Sequence, residues 1–501
     1  MTALQPDRAV AVVGAGTMGQ GIAQVALLAG HPVLLYDAME GRAAKAAGAI
    51  LDRLERRVAR DGMSAADRDA AAARLRPVET LAQLAGAGLV IEAIVEQLPV
   101  KQKLFAELEP VVGPDCLLAT NTSSLSVTAI GGALRRPGRF LGLHFFNPAP
   151  VLPLVEVVRG FATEEAAAER ARATLAAWGK APVRCADTPG FVVNRVARPF
   201  YAEAFRVYEE RGADPATIDA VLRESGGFAM GPFELTDLIG QDVNEAVTRS
   251  VYEAFSHDRK FTPSLAQRRL VEAGLLGRKS GRGWYRHGAD AVRPEPHTAE
   301  PCQAPAAVTL SGTLPAAAAV LPELIEAAGI EIRREDGGFG QLVLPGGTPL
   351  VLAFDEAGGD SVVRFDLALD YRTCTRVALA PSVTAPAADV AAATGLFQAL
   401  GKKVSVLGDV PGAVVARTVA MLADFAEDAV GRGVADEADV DTAMRLGVNY
   451  PRGPLEWGRS LGPSWVCRLL RHLEAQYPGG RYAAGQALRR RAAAERSLLQ
   501  S

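Results

Sequence analysis

The sequence predicts a doubly wound α/β domain, then an all-α unit, then a reduced α/β segment and a second all-α unit that duplicates the first. Three observations carry this. Short apolar runs alternate with helical stretches from Ala9 to about Asp187, the pattern of a parallel sheet covered on both faces. The glycine-rich turn "GAGTMG" directly follows the first apolar run and opens the first helix. Finally, "DTPGFVVNR" (187–195) and "GPFEL" (231–235) return as "DVPGAVVAR" (409–417) and "GPLEW" (453–457), both 222 residues on and without a gap.

In chain order, Ala9–Val13 is a breaker-free strand, and "GAGTMGQGIAQVALLAG" is a helix with Gly30 as its C-cap. "PVLLYD" is the second strand. "AGLVIEAI" and "CLLAT" read as buried parallel strands, with the helical "QLPVKQKLFAELEP" between them. "FLGLHFF" and "LPLVEVV" add two strands, and residues 163–179, rich in Ala, Glu and Arg, form an amphipathic helix. This first domain is assigned to 1–186. Tyr, Phe and Val at three- and four-residue spacing predict a helical unit over 187–286, and the proline-rich stretch 287–307 is a linker. "AAVTLSG", "TPLVLAF" and "TRVALAPS" predict the reduced sheet at 308–408, and the second helical unit takes 409–501.

Composition excludes several classes of function. The 501 residues exceed one ordinary domain. A net charge of −3, with 22% charged residues, leaves no footprint for nucleic acid or an acidic membrane surface. Cys116, Cys185, Cys302, Cys374 and Cys467 are scattered and never spaced as CxxC, which argues against disulfides or structural zinc and fits a reducing cytosol. The start "MTALQPDRAVAVVGAG" lacks the features of a signal peptide, and no uncharged apolar run is long enough to span a bilayer. A cytoplasmic protein without a metal site is expected.

"GAGTMG" matches G-x-G-x-x-G in the strand–turn–helix context that a Rossmann-type domain requires. Gly14 permits the tight turn, Gly16 admits a pyrophosphate, and Gly19 allows close helix–strand packing, with Thr17 and Met18 at the helix start as further cofactor contacts. Asp37 ends the second strand; its carboxylate can accept from both ribose hydroxyls and would repel a 2′-phosphate, so NAD is expected rather than NADP. A glycine turn that binds nothing is the bland alternative. The reduced α/β segment has "TLSGTLPAAAAV", one glycine where three are needed.

His144 lies among apolar neighbours in "LGLHFFNPAP", where a satisfied core histidine is the ordinary reading. Glu156 interrupts the apolar run "LPLVEVV", and a buried carboxylate needs a partner. Adjacent strands joined by "NPAPV" could bring the two together, either as a structural pair or as a general base with its carboxylate. Asn121, Ser123 and Ser124 of "TNTSSLSV" follow a strand's carboxyl end, where such sheets bind ligands; a plain Ser/Thr turn is equally open. Asn194 in "GFVVNRV" is either a packing residue or a substrate donor. "RLERRVARDG" (53–62) reads as a solvated helix face, although a phosphate-rich ligand could use its arginines. No nucleophile elbow or Walker A loop is present.

"VVGAGTMGQGIAQ", "IEAIVEQLPVKQKLF", "NTSSLSV", "GLHFFNP", "LVEVV", "DTPGFVVNR" and "GPFEL", in this order, resemble the 3-hydroxyacyl-CoA dehydrogenase family. The whole chain resembles its long bacterial members. The resemblance implies NAD-dependent oxidation of an (S)-3-hydroxyacyl-CoA to the 3-ketoacyl-CoA, with 3-hydroxyadipyl-CoA of phenylacetate breakdown as the first substrate to consider. It implies His144 as base, Glu156 as its carboxylate partner, and Ser123 and Asn194 as substrate contacts. It also implies Glu96, Lys101, Asn121, Asn147 and Lys279 as positions near the cofactor, and the arginines of 53–60 near the CoA phosphates. A terminal carboxylate on the acyl tail would call for a cation, for which Arg195 and Arg198 are available. The second copy has Ala416 at the place of Asn194 and no HFFNP, so one active site per chain is expected. Short members pair through their helical domains, so a homodimer, or a pseudo-dimer made within the chain by the second copy, is expected. Alternatives are a 3-hydroxybutyryl-CoA or longer fatty-acyl substrate, a free hydroxy acid, and a non-catalytic NAD-binding protein.

Overall fold

The computed structural model describes residues 2–338, 340–354 and 359–500. The chain divides into two compact units, Met1–Val193 with Gly433–Val448, and Asn194–Arg432 with Asn449–Ser501.

The first unit is built on eight strands: β1 (Ala9–Val13), β2 (Val33–Tyr36), β3 (Leu75–Val78), β4 (Ala87–Glu92), β5 (Leu117–Thr120), β6 (Phe140–Phe145), β7 (Leu154–Arg159) and β8 (Ala181–Ala186). Their order is β3-β2-β1-β4-β5-β6-β7-β8, parallel throughout except for the antiparallel pair β6–β7. The central strands β4, β5 and β6 are buried along their whole length, which is why they read as continuous apolar runs. Helix Thr17–Leu28 seats Ile22, Ala23, Ala26 and Leu27 against Val10, Val12, Val33 and Leu35. Helix Arg42–Val58 buries Ala43, Ala46, Ala47, Ile50 and Leu54 at helical spacing.

Strand β8 would be a bare edge. The Val434 carbonyl accepts from the Ala186 N–H at 2.7 Å, and the Asp439 carboxylate accepts from the Arg184 N–H at 2.8 Å. Helix Glu437–Val448 thus belongs to this unit, although its sequence lies in the stretch read as the second helical unit. Gly447 makes the approach possible: a Cβ there would stand 2.6 Å from Leu154 Cδ2.

The second unit holds a mixed seven-stranded sheet of β9 (Ala307–Ser311), β10 (Glu331–Glu335), β11 (Gln341–Val343), β12 (Pro349–Leu352), β13 (Val363–Phe365), β14 (Arg376–Pro381) and β15 (Lys403–Val406), ordered β10-β9-β11-β12-β13-β14-β15. The rest of both helical copies is also here, and the two lock together through one carboxylate. Glu203, 1% exposed, accepts from Arg417 Nε and the Tyr482 hydroxyl at 2.7 Å each and from Arg481 Nη2 at 2.5 Å. Burial alone would raise its pKa, but the Arg481 and Arg417 guanidiniums bring it down to about 2. No helix among the described residues is long and apolar enough to cross a membrane.

Candidate active site

The antiparallel register of β6 and β7 sets His144 directly opposite Glu156. Their side chains meet: Nδ1 of His144 lies 2.6 Å from Oε2 of Glu156, with the carboxylate fully buried and the imidazole 8% exposed. The other carboxylate oxygen, Oε1, accepts the N–H groups of Val192 (3.0 Å) and Val193 (2.9 Å). Glu156 is therefore anchored as well as buried. An ionised carboxylate only accepts, so Nδ1 carries the proton and Nε2 presents its lone pair. The rings of Phe146 and Phe191 pack against the imidazole, with centroids 4.5 and 5.8 Å away. This oriented imidazole can act as a general base.

The glycine turn divides its work among three positions. Gly14 has φ +104°, and a Cβ there would meet the Ala93 carbonyl oxygen at 2.5 Å. A Cβ on Gly19 would fall 1.7 Å from the Gly14 carbonyl oxygen, so helix and turn touch through the missing side chain. A Cβ on Gly16 would meet nothing within 4 Å. No packing requires glycine at that position, and Gly16 caps a helix that has neither a side-chain cap nor an acidic residue in its first turn. Open amides at a helix N-terminus beside an unobstructed glycine suit a pyrophosphate. A groove of about 670 Å³ runs from Ala15, Gly16 and the exposed Thr17 to Met39, Gly41 and Arg42. Asp37 holds two of the segments that line it, its carboxylate accepting from the Ala15 N–H at 2.8 Å and the Met39 N–H at 3.0 Å. Met18 is half-buried against the apolar core.

At the carboxyl ends of β4 and β5, a carboxylate network shapes the loop that carries Ser123. Glu96 accepts from the Ser123 N–H (2.9 Å), the Ser124 N–H (3.2 Å) and the hydroxyls of Thr122 (2.6 Å) and Ser124 (3.0 Å). Burial opposes its ionisation, but the Lys101 ammonium and these donors hold its carboxyl below the usual range. Lys101 is 1% exposed and lies between Glu92 (2.5 Å) and Glu96 (3.2 Å), so its charge is spent on these two carboxylates. Glu92 is fully buried at the end of β4 and also accepts from the Thr120 hydroxyl at 2.6 Å. Glu92 carries the same signal in the sequence as Glu156, a lone carboxylate in an apolar strand, and went unread there. The Asn121 side-chain oxygen accepts the Phe145 N–H at 2.8 Å and ties this loop to the end of the strand bearing His144.

Asn147 is exposed and lines an open cavity of about 460 Å³ with Thr17, Arg53, Arg56, Arg57 and Arg60. Arg53 is aimed by Gln20 and Gln24, whose side-chain oxygens accept from it at 3.0 and 3.1 Å. The arginines read as a solvated face thus border a concave surface. Asn194 and Lys279 belong to the second unit: Asn194 is in the short helix Val193–Val196, and the Lys279 ammonium pairs with Asp242 at 2.5 Å.

The 222-residue offset continues into the two sheets. β13–β14 pairs in the same register as β6–β7, and β14–β15 in the same register as β7–β8. Asp366 therefore stands where His144 stands, and Ala378 where Glu156 stands. Asp366 accepts the N–H groups of Val414, Val415 and Ala416, so the helix start that Glu156 anchors in the first copy is anchored from the histidine position in the second. At these two positions the second copy has an anchoring carboxylate and an alanine, and no histidine.

Comparison with known proteins bears on the fold and the reaction class. Residues 9–188 match the 3-hydroxyacyl-CoA dehydrogenase NAD-binding domain, and 190–287 and 412–499 both match the family's C-terminal domain. Residues 348–411 match the reduced Rossmann-fold domain of 3-hydroxybutyryl-CoA dehydrogenase. The chain is 45% identical to the 3-hydroxyadipyl-CoA dehydrogenase of Escherichia coli K12 over 97% of this chain and 98% of that one. It is 42% identical to a 3-hydroxybutyryl-CoA dehydrogenase of Mycobacterium tuberculosis over 55% of this chain and 97% of the relative. A crystal structure described as 3-hydroxybutyryl-CoA dehydrogenase from Escherichia coli K12 superposes with a TM-score of 0.88 and 43% identity, covering 99% of this chain and all of that one. Expected fold and reaction class are both borne out: the chain belongs to the NAD-dependent 3-hydroxyacyl-CoA dehydrogenase family.

Proposed function

We propose that the chain oxidises (S)-3-hydroxyadipyl-CoA to 3-oxoadipyl-CoA, as a cytoplasmic step in phenylacetate breakdown. The carrying observation for the chemistry is the buried His144–Glu156 pair with Nε2 left as acceptor. The substrate rests on the full-length likeness to a relative named for 3-hydroxyadipyl-CoA.

His144 Nε2 takes the proton of the C3 hydroxyl, and Glu156 balances the imidazolium that results. Ser123, held through its N–H by Glu96, and Asn194 orient the oxygens of the acyl chain. NAD⁺, when bound, supplies the hydride acceptor; Gly14, Gly16, Thr17, Met18, Gly19 and Asp37 hold it at the amino-terminal strands, with Glu96, Asn121, Asn147 and Lys279 toward its other end. Lys101 positions Glu96. Arg53, Arg56, Arg57 and Arg60 face the CoA phosphates from the cavity they line. The interlocked helical copies supply within one chain the surface through which short members pair, with Glu203 and Arg417 at its centre.

A second reading, 3-hydroxybutyryl-CoA, is favoured by the description of the full-length superposing structure. Initial rates of NADH formation across (S)-3-hydroxyacyl-CoA substrates, from hydroxybutyryl through hydroxyhexanoyl to hydroxyadipyl, decide between them. The highest kcat/KM on hydroxyadipyl-CoA supports the proposal, and a hydroxybutyryl preference replaces it.

A further inference from the structure

The first helical copy opens with two buried arginines, and the fold treats them differently. Arg195 is 2% exposed; its Nη2 donates to Asp428 at 2.7 Å and its guanidinium lies 4.8 Å from the centroid of the Phe255 ring. Its charge is matched. Arg198 is 5% exposed and has no carboxylate partner among the described residues. Its Nη1 donates to the Thr248 hydroxyl at 2.9 Å, and its Nε has no hydrogen-bond partner. The guanidinium lies 5.0 Å from the centroid of the Tyr201 ring.

Around it is an aromatic shell with a second unsatisfied group. Tyr450 is 6% exposed and its hydroxyl has no hydrogen-bond partner. The Tyr450 ring packs against Phe200 and Phe228, with centroids 5.5 and 5.1 Å away. Burial lowers the Arg198 pKa, and the phenols of Tyr201 and Tyr450 are the groups close enough to act on its charge. A cation and a hydroxyl left unmatched in such surroundings are unfavourable in the free protein and become favourable once an anion arrives.

We infer that Arg198 and the Tyr450 hydroxyl form the docking site for the terminal carboxylate of a dicarboxylic acyl-CoA, selecting that chain over a plain alkyl chain of equal length. Guanidinium N–H groups and a phenol O–H are the donor types a carboxylate requires, and the Tyr450 phenol is close enough to act on the Arg198 charge. Arg198 is four residues beyond Asn194; the short helix ends at Val196 and the next begins at Arg198, with Ala197 between them in the αR region, which keeps the two positions about one helical turn, ~5.4 Å, apart. In a six-carbon chain, three bonds separate C3 from the terminal carboxyl carbon, a span of the same order. The inference rests on the hydroxyadipyl reading and explains it: Arg195, its neighbour, is already neutralised by Asp428.

The test is the ratio of kcat/KM for (S)-3-hydroxyadipyl-CoA over (S)-3-hydroxyhexanoyl-CoA, which share length and differ in the terminal group. Arg198→Met is expected to lower the ratio on the order of 10²-fold, mainly through KM for the adipyl substrate, and Arg198→Lys to recover part of it. Tyr450→Phe is expected to lower it about 5-fold without lowering the melting temperature, since that hydroxyl has no partner to lose. If Arg198→Met does not fold, Tyr450→Phe decides. An unchanged ratio in the folded variants, with wild type still preferring the adipyl chain, overturns the inference and leaves the substrate reading standing. A wild type with no preference for the adipyl chain overturns the substrate reading, and the inference with it.

Discussion

Replacing Glu156 by Gln should abolish the base without disturbing the fold, because the structure dictates how the amide must sit. Oε1 of Glu156 accepts two backbone N–H groups, from Val192 and Val193, and Oε2 faces Nδ1 of His144. An NH₂ turned toward the two N–H groups would set donors against donors, so the amide oxygen takes that side and the NH₂ faces the imidazole. Nδ1 must then accept, the proton moves to Nε2, and the lone pair that would take the substrate proton is gone. Loss of the correct tautomer together with the balancing charge is worth about 10³–10⁴ in kcat, roughly 4–5.5 kcal/mol of barrier. Stability should change by only about 1 kcal/mol, since the backbone bonds persist. The assay is initial-rate NADH formation at saturating substrate, with NADH binding followed by fluorescence and melting by calorimetry. A kcat within tenfold of wild type, or a loss confined to KM, would refute the reasoning.

Asp366→Asn is the matching control in the second copy: both its oxygens accept N–H groups, so either amide orientation opposes donors and should cost about 1–3 kcal/mol, while kcat/KM stays at the wild-type value. A fall in kcat/KM for the folded variant would show that this position still has a catalytic part. Gly16→Ala should fold normally and bind NAD more weakly, whereas Gly19→Ala should fail to fold or lose much of its stability, read by melting temperature and NADH titration. Equal effects of the two would count against the division of labour in the turn. Glu203, with its pKa lowered to about 2 from 4.5, contributes stability that is present above the unfolded value and lost as pH falls toward the folded one, about 3 kcal/mol in all. Glu203→Gln should therefore destabilise strongly near neutral pH, and its difference from wild type should shrink below about pH 4; a difference independent of pH contradicts this.

The core of the site was readable because its determinants are local. Strand, glycine turn and helix follow one another within 20 residues of chain, and a lone Glu in an apolar run opposite a lone His across a short connection allows one economical arrangement. Edge strands were less legible. β3 ("LRPV") and β8 ("APVRCA") each hold a proline and an arginine, so neither carries an apolar run or a clean alternation. Lys101 was read as a cofactor contact from its motif, and only packing shows its ammonium enclosed between Glu92 and Glu96.

What the sequence by itself determined is the order of parts, the dinucleotide turn, the histidine with its carboxylate, and a duplication kept in register over 222 residues. These depend on spacing, periodicity and the energetic conspicuousness of a charge in an apolar strand. Only the tertiary structure decided which of two arginines three residues apart is neutralised, because Asp428 reaches Arg195 from 233 residues away. It alone decided that the second copy turns part of itself, 433–448, to covering the edge of the first sheet. It alone showed that Asp366 anchors the second copy's helix from the place of the lost histidine. Pairings of this kind are set by long-range packing, which no local pattern encodes, since a buried charge reveals that it needs a partner but not which distant residue will provide it.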